Sequence, residues 1–157
     1  MNVLQSQYEM IQRTRESLFR FCEGMTAADY IKAIDPLGDS SIRSLHAHVA
    51  DCYLVWMGKR GLGLSTPRLK PQSIDSVEKM REVFKRTDAL VYEFLRDFKD
   101  KWKPAVQEPW MSSSAEATQL WLFTHCITHE FHHRGQISKI GRQLGYIPGK
   151  MNLSKGL

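Results

Sequence analysis

LFTHCITHEFHHRGQISKIGRQL, residues 122–144, decides how this chain folds. Leu122, Cys126, His129, His133, Ile137, Ile140 and Leu144 follow one another at steps of four, three, four, four, three and four. Steps of three and four line side chains along one face of an α-helix, so this is an amphipathic helix. Gly145 supplies its C-terminal stop, and Ser113-Ser-Ala-Glu116 upstream has the form of a capping box at its start. His129 and His133 occupy two successive places in a stripe otherwise made of Leu, Cys and Ile, so both rings are expected to point inward.

Working towards the N-terminus, Val77, Met80, Phe84, Thr87, Val91, Phe94 and Phe98 repeat in alternating threes and fours and predict a helix from Ser73 to about Phe98. Another is expected from a Ser40 or Ser41 cap to about Gly58, with Leu45, Val49, Cys52 and Trp56 on one face. The first runs from about Leu4 to Cys22 and ends at Gly24. Thr26-Ala-Ala-Asp29 caps a short turn before the Asp35-Pro36-Leu-Gly38 break. GLGLSTPRLKPQ, and the connection with Pro104, Pro109 and three serines, read as loops. No strand-like alternation competes with the helices. Four apolar stripes that must cover one another make an all-α four-helix bundle, one domain over residues 1–157.

The 157 residues and an apolar fraction of 42% suffice for one sizeable core. The N-terminus has neither a secretory pattern nor a membrane span, so the cytoplasm is the expected location and no membrane partner is expected. Cys22, Cys52 and Cys126 are too few and too scattered for a disulfide framework and should be reduced. The net charge of +5 is spread among acids, as in EKMREVFKRTD, which predicts a solvated surface rather than a nucleic-acid footprint.

Two imidazoles four residues apart on a helix can reach one ion. His48, between Leu45 and Cys52 on what reads as a core-facing side, is the natural third ligand from a neighbouring helix. Three nitrogens would leave coordination positions open, as in reactive sites. Core histidines satisfied by hydrogen bonds are the bland alternative, and either Cys52 or Cys126 could supply a fourth ligand. Zinc or nickel suits such a set first, with copper, iron or manganese also in range. His129-Glu130-Phe-His-His133 fits H-E-x-x-H, which would make Glu130 a general base, but the longer protease pattern fails at Gly135 and Lys139. Asp51 could orient a ligand ring, and Arg134 could grip an anion. Gly135 in mid-helix predicts close helix packing.

His129-Glu-Phe-His-His133-Arg134-Gly135-Gln136-Ile137 with Arg142-Gln-Leu-Gly145, together with Ile42-Arg-Ser-Leu-His-Ala-His48-Val-Ala-Asp51, resembles the motifs of the DinB/YfiT-like metalloenzyme superfamily. The resemblance implies that fold's four-helix bundle, with His48, His129 and His133 as ligands and His46 and His132 excluded. It also implies a small-molecule substrate and a homodimer. Its members include thiol S-transferases that use a low-molecular-weight thiol such as bacillithiol, mycothiol-dependent isomerases and proteins called metal-dependent hydrolases. The expected function is therefore metal-dependent thiol transfer to small electrophiles, with hydrolysis or a non-catalytic stress-response or binding module around a structural metal as alternatives.

Overall fold

The computed structural model describes residues 3–34, 40–98, 104–106 and 117–149. Among these the chain is all-α. Helices α1 (Val3–Glu23) and α2 (Ala27–Ile31) precede α3 (Ile42–Tyr53), which continues into a π-helical segment, Leu54–Gly61. After a 3₁₀ turn at Pro71–Ser73 come α4 (Val77–Phe98) and α5 (Gln119–Gln143). Two strand fragments, β1 (Pro104–Val106) and β2 (Ala117–Thr118), pair antiparallel ahead of α5. They are too short to show as alternation in the sequence. The Asp35–Gly38 break, Pro109, the Ser113–Glu116 pattern and the tail from Lys150 lie outside the described residues.

Local hydrogen bonds set the helix ends. The hydroxyl of Ser41 accepts from Ser44 N and that of Ser44 accepts from Ser41 N, a reciprocal box that starts α3. Thr26 caps α2 through Asp29 N, but Asp29 turns its carboxylate to the hydroxyl of Tyr146, 2.7 Å away, which ties the end of α5 to the start of α2. Two expected starts move. The hydroxyl of Ser76 accepts from Lys79 N, so α4 begins at Val77 rather than Ser73. The hydroxyl of Thr118 accepts from Trp121 N, so α5 begins after β2 rather than at Ser113. At the other end, Gly145 N donates to Arg142 O and Tyr146 N to Gly141 O, with Gly145 at φ +92°, a Schellman stop.

The long helices close a ring of contacts, α1 against α4 and α5, and α3 against α4 and α5. Arg15 meets Glu130 while Phe21 and Met25 meet Gly141, so α1 and α5 run the same way. His46 lies against Phe84, Gly58 against Leu90 and Gly61 against Phe94, so α3 with its π-helical extension runs parallel to α4. Tyr8 meets Asp88 and Glu23 meets Arg81, which makes that pair antiparallel to the first. A parallel neighbour cannot be reached by a tight turn. The segment 62–76 is the return, and Asp51 staples it to α3 by accepting from Leu69 N and pairing with Arg68 at 2.8 Å.

One polar network crosses the core and takes a group from every long helix. Arg15, 4% exposed, gives Nε and Nη2 to the two oxygens of Glu130, 6% exposed, at 2.7 and 2.9 Å. Its Nη1 goes to Asp88, which also accepts from Tyr8, and Tyr53 donates to Glu130 at 2.6 Å. Burial, above all, holds the Tyr8 and Tyr53 hydroxyls well above their usual range, so both remain donors. Burial opposes the charge on Arg15, but attraction and hydrogen bonding by Glu130, with attraction by Asp88, outweigh it.

His46 is a core residue. It is 2% exposed, packs on Phe19 and Phe84, and shares a hydrogen bond at Nδ1 with the hydroxyl of Tyr30, 3.1 Å away. Burial, with repulsion from Arg15, pushes its pKa down to about 3. The unfolded chain, with a value near 6.5, therefore binds a proton that the folded chain refuses. The stabilisation from neutral His46 is complete above pH ~6.5 and falls by about 1.4 kcal/mol per pH unit as acidity rises towards the folded value. Between pH 7 and 5 the gap in unfolding free energy between the native protein and H46Q should shrink by roughly 2 kcal/mol, read from urea melts at both pH values.

Gly135 departs from the expectation of close packing. It is exposed on α5, and a Cβ there would meet nothing within 4 Å. On α5 the crowded glycine is Gly141, where a Cβ would lie 2.6 Å from the ring of Phe21. G135A should raise stability by about 0.5–1 kcal/mol through helix propensity alone, and G141A should lower it; thermal melts distinguish the two signs.

Candidate metal centre

Glu130 points into the core, which sets the roll of α5. At 100° per residue, His129 and His133 then lie about 100° and 60° round the same side, at the edge of the buried stripe facing α3. The stripe read from the sequence is real, but its centre is shifted, because Phe123, Ile127, Glu130 and Gly141 are also buried. On α3 the core-facing series is Ile42, His46, Ala50 and Tyr53, so His48 is exposed rather than core-facing. The three histidines thus meet at the mouth of the α3–α5 groove, not inside the bundle.

There the Nε2 atoms converge. His129 Nε2 stands 3.1 Å from that of His48 and 3.1 Å from that of His133. Ligand atoms from all three lie within 4.8 Å of one another, and they form the one group of this kind that could hold a metal ion among the described residues. His133 Nδ1 is 2.6 Å from Oε1 of Gln136, one turn on, and donates to it, leaving the Nε2 lone pair bare. His129 Nε2 cannot both donate to one neighbour and accept from the other. Hydrogen bonding alone therefore leaves a contact unsatisfied, whereas one ion takes all three lone pairs. With metal–nitrogen distances of about 2.0–2.1 Å, ligand nitrogens stand roughly 3.3 Å apart, a spacing these rings reach by small rotations of His48. The donor set fits a divalent ion.

His129 and His133 are in the protonation state that binding requires. Burial first, then repulsion from His133 and His48, pushes His129 down to about 4. Burial also lowers His133, against the opposing effect of the Gln136 hydrogen bond.

Other anticipated residues are placed elsewhere. The carboxylate of Asp51 is held by Arg68 and Leu69 N and orients no histidine. Glu130 is engaged by Arg15 and Tyr53 on the core side, away from the place a general base would occupy. The guanidinium of Arg134 stacks over Phe131 at 3.9 Å. Cys52 and Cys126 are buried in the core, where Cys126 Sγ is 3.9 Å from the carbonyl of Cys52. Burial raises the Cys126 thiol well above its usual range, and neither thiol joins the cluster. All three cysteines are free thiols. His132 is exposed and outside the cluster.

Two residues escaped the sequence reading. Gln136 was legible as a polar side chain one turn after His133. His125 continues the four-residue ladder backwards from His129, with ring centroids 5.9 Å apart, and stacks on Trp121 at 4.9 Å with the planes 2° from parallel. Trp56, from the π-helical segment, meets both edge-on. They form a half-buried aromatic wall on one side of the three rings.

Replacing Gln136 by Leu removes the acceptor that fixes the His133 ring. Affinity for zinc or nickel, measured by competition with a chromophoric chelator, should fall about 10–100-fold while the fold remains intact by circular dichroism.

A family model described as DinB family matches residues 1–156. No curated protein matches the chain closely enough to be compared with it. With all but its last residue matched, the chain belongs to the DinB family.

Proposed function

We propose that this protein is a metal-dependent enzyme that transfers a small thiol to carbon electrophiles. The observation that carries the reading is the character of the donor set: three imidazoles, open to solvent at His48, with no protein anion among them. A divalent ion held there would keep its charge largely uncompensated and would stabilise a thiol as the thiolate, its nucleophilic form. In the reaction the thiol sulfur forms a bond to carbon, the leaving group departs with its electron pair, and the thiol proton passes to solvent.

What the chain contributes is position and exclusion. His48, His129 and His133 would hold the ion, which would supply an electrophilic centre for the thiol sulfur. Gln136 fixes the His133 ring, and Trp56, Trp121 and His125 wall one side against water. Hydrolysis would call for a base beside the attacking water. Glu130 and Asp51 are both committed to arginines, and among the described residues no carboxylate oxygen joins the cluster. That favours thiol transfer over hydrolysis. Zinc or nickel is the ion that best suits three imidazoles, and buried free thiols accord with a reducing cytoplasm.

Zinc- or nickel-loaded protein should conjugate a low-molecular-weight thiol to chlorodinitrobenzene, and His129→Ala should lower that rate by at least about 100-fold, since loss of a ligand exceeds loss of its support. Release of nitrophenol from a nitrophenyl ester at equal rate with and without thiol would instead establish the hydrolytic reading.

A further inference from the structure

Further along α5 from the three rings, at the end away from the aromatic wall, a cavity of about 430 Å³ lies between α3 and α5. Leu45, one turn before His48, and Ile34 and Ile140 give it an apolar body. Gln136 and Lys139 stand at its polar rim. Two features mark it as more than a surface crease. Gln136 belongs to both places: its Oε1 is held by His133, which leaves its amide N–H groups for whatever occupies the cavity. Lys139 is the one charged side chain in the cavity lining; it is exposed and has no ion-pair partner among the described residues.

We propose that this cavity receives the carboxylate end of the thiol substrate, with Lys139 as its counter-ion, Gln136 as a hydrogen-bond donor, and Leu45, Ile34 and Ile140 against its carbon chain. The inference rests on the thiol-transfer reading and names the class of thiol: a short acid with an apolar spacer. The dimensions set the spacer. Lys139 is six residues beyond His133, about 9 Å along the helix axis and about 120° around it, an angular offset that its long side chain spans from the cavity rim. With the sulfur at the rings, a chain of about five carbons brings a carboxylate within reach of the Lys139 ammonium, and a one-carbon chain does not.

The test uses full-length protein loaded with cobalt(II), whose sulfur-to-metal charge-transfer band reports thiol binding directly. Mercaptohexanoate should bind roughly three- to tenfold more tightly than mercaptohexanol, the margin expected of a charge-assisted contact at a partly exposed site. Mercaptoacetate should show no such advantage over mercaptoethanol. K139Q should abolish the preference for the long acid and leave mercaptohexanol affinity unchanged, and K139R should retain it. Equal binding of the long acid and alcohol, or a preference that K139Q does not move, overturns this inference and leaves thiol transfer standing. Protein that takes up cobalt but gives no sulfur band with any thiol, or takes up none, overturns the functional reading and this inference with it.

Discussion

The contact between Arg15 and Glu130 is the constraint on which the site depends. A charge left unpaired at that depth costs about 3–5 kcal/mol, so α1 and α5 are free neither to slide nor to roll relative to each other. Asp88 and Tyr53 extend the same demand to α4 and α3. With the Glu130 direction fixed inward, the adjacent His129 and the following His133 must leave the core at its edge, where α3 brings His48 to meet them. The residue that the H-E-x-x-H pattern would make a base instead orients the helix that carries two of the three histidines.

This placement reconciles two requirements that oppose each other. Ligand rings must be buried enough to stay neutral, which burial achieves for His129 and His133. For the proposed enzyme they must also face a space that a substrate can enter. The edge of a helix stripe satisfies both, and the α3–α5 groove supplies surroundings of two kinds: aromatic rings on one side, an apolar cavity with a cation at its rim on the other. The thiols of Cys52 and Cys126 are buried in the core and join no cluster, so the donor set stays purely imidazole.

The parallel course of α3 and α4 also matters for the groove. The 62–76 return lies over α3 and is stapled by Asp51, and the π-helical stretch packs its glycines on Leu90 and Phe94 while presenting Trp56 to Trp121. An aspartate that reads as support for a metal ligand serves instead to close a loop, which keeps the groove's α3 wall in place.

Sequence by itself determined the helices, most of their ends, and which histidines belong together, because periodicity, caps and the i, i+4 geometry are local properties of the chain. Ser41, Thr26 and Gly145 cap or stop helices through neighbours a few residues away, and each was legible as such. Tertiary structure decided where the stripes are centred. Periodicity gives the direction of an apolar face only to within the width of that face, and a buried carboxylate such as Glu130 counts as polar until its partner, 115 residues away, is known. For that reason His46 proved to be the core histidine and His48 the exposed one, Glu130 and Asp51 were already committed to arginines, and Gly135 stood in open space. His125, Gln136 and Lys139 took on their places only when α3 was laid against α5.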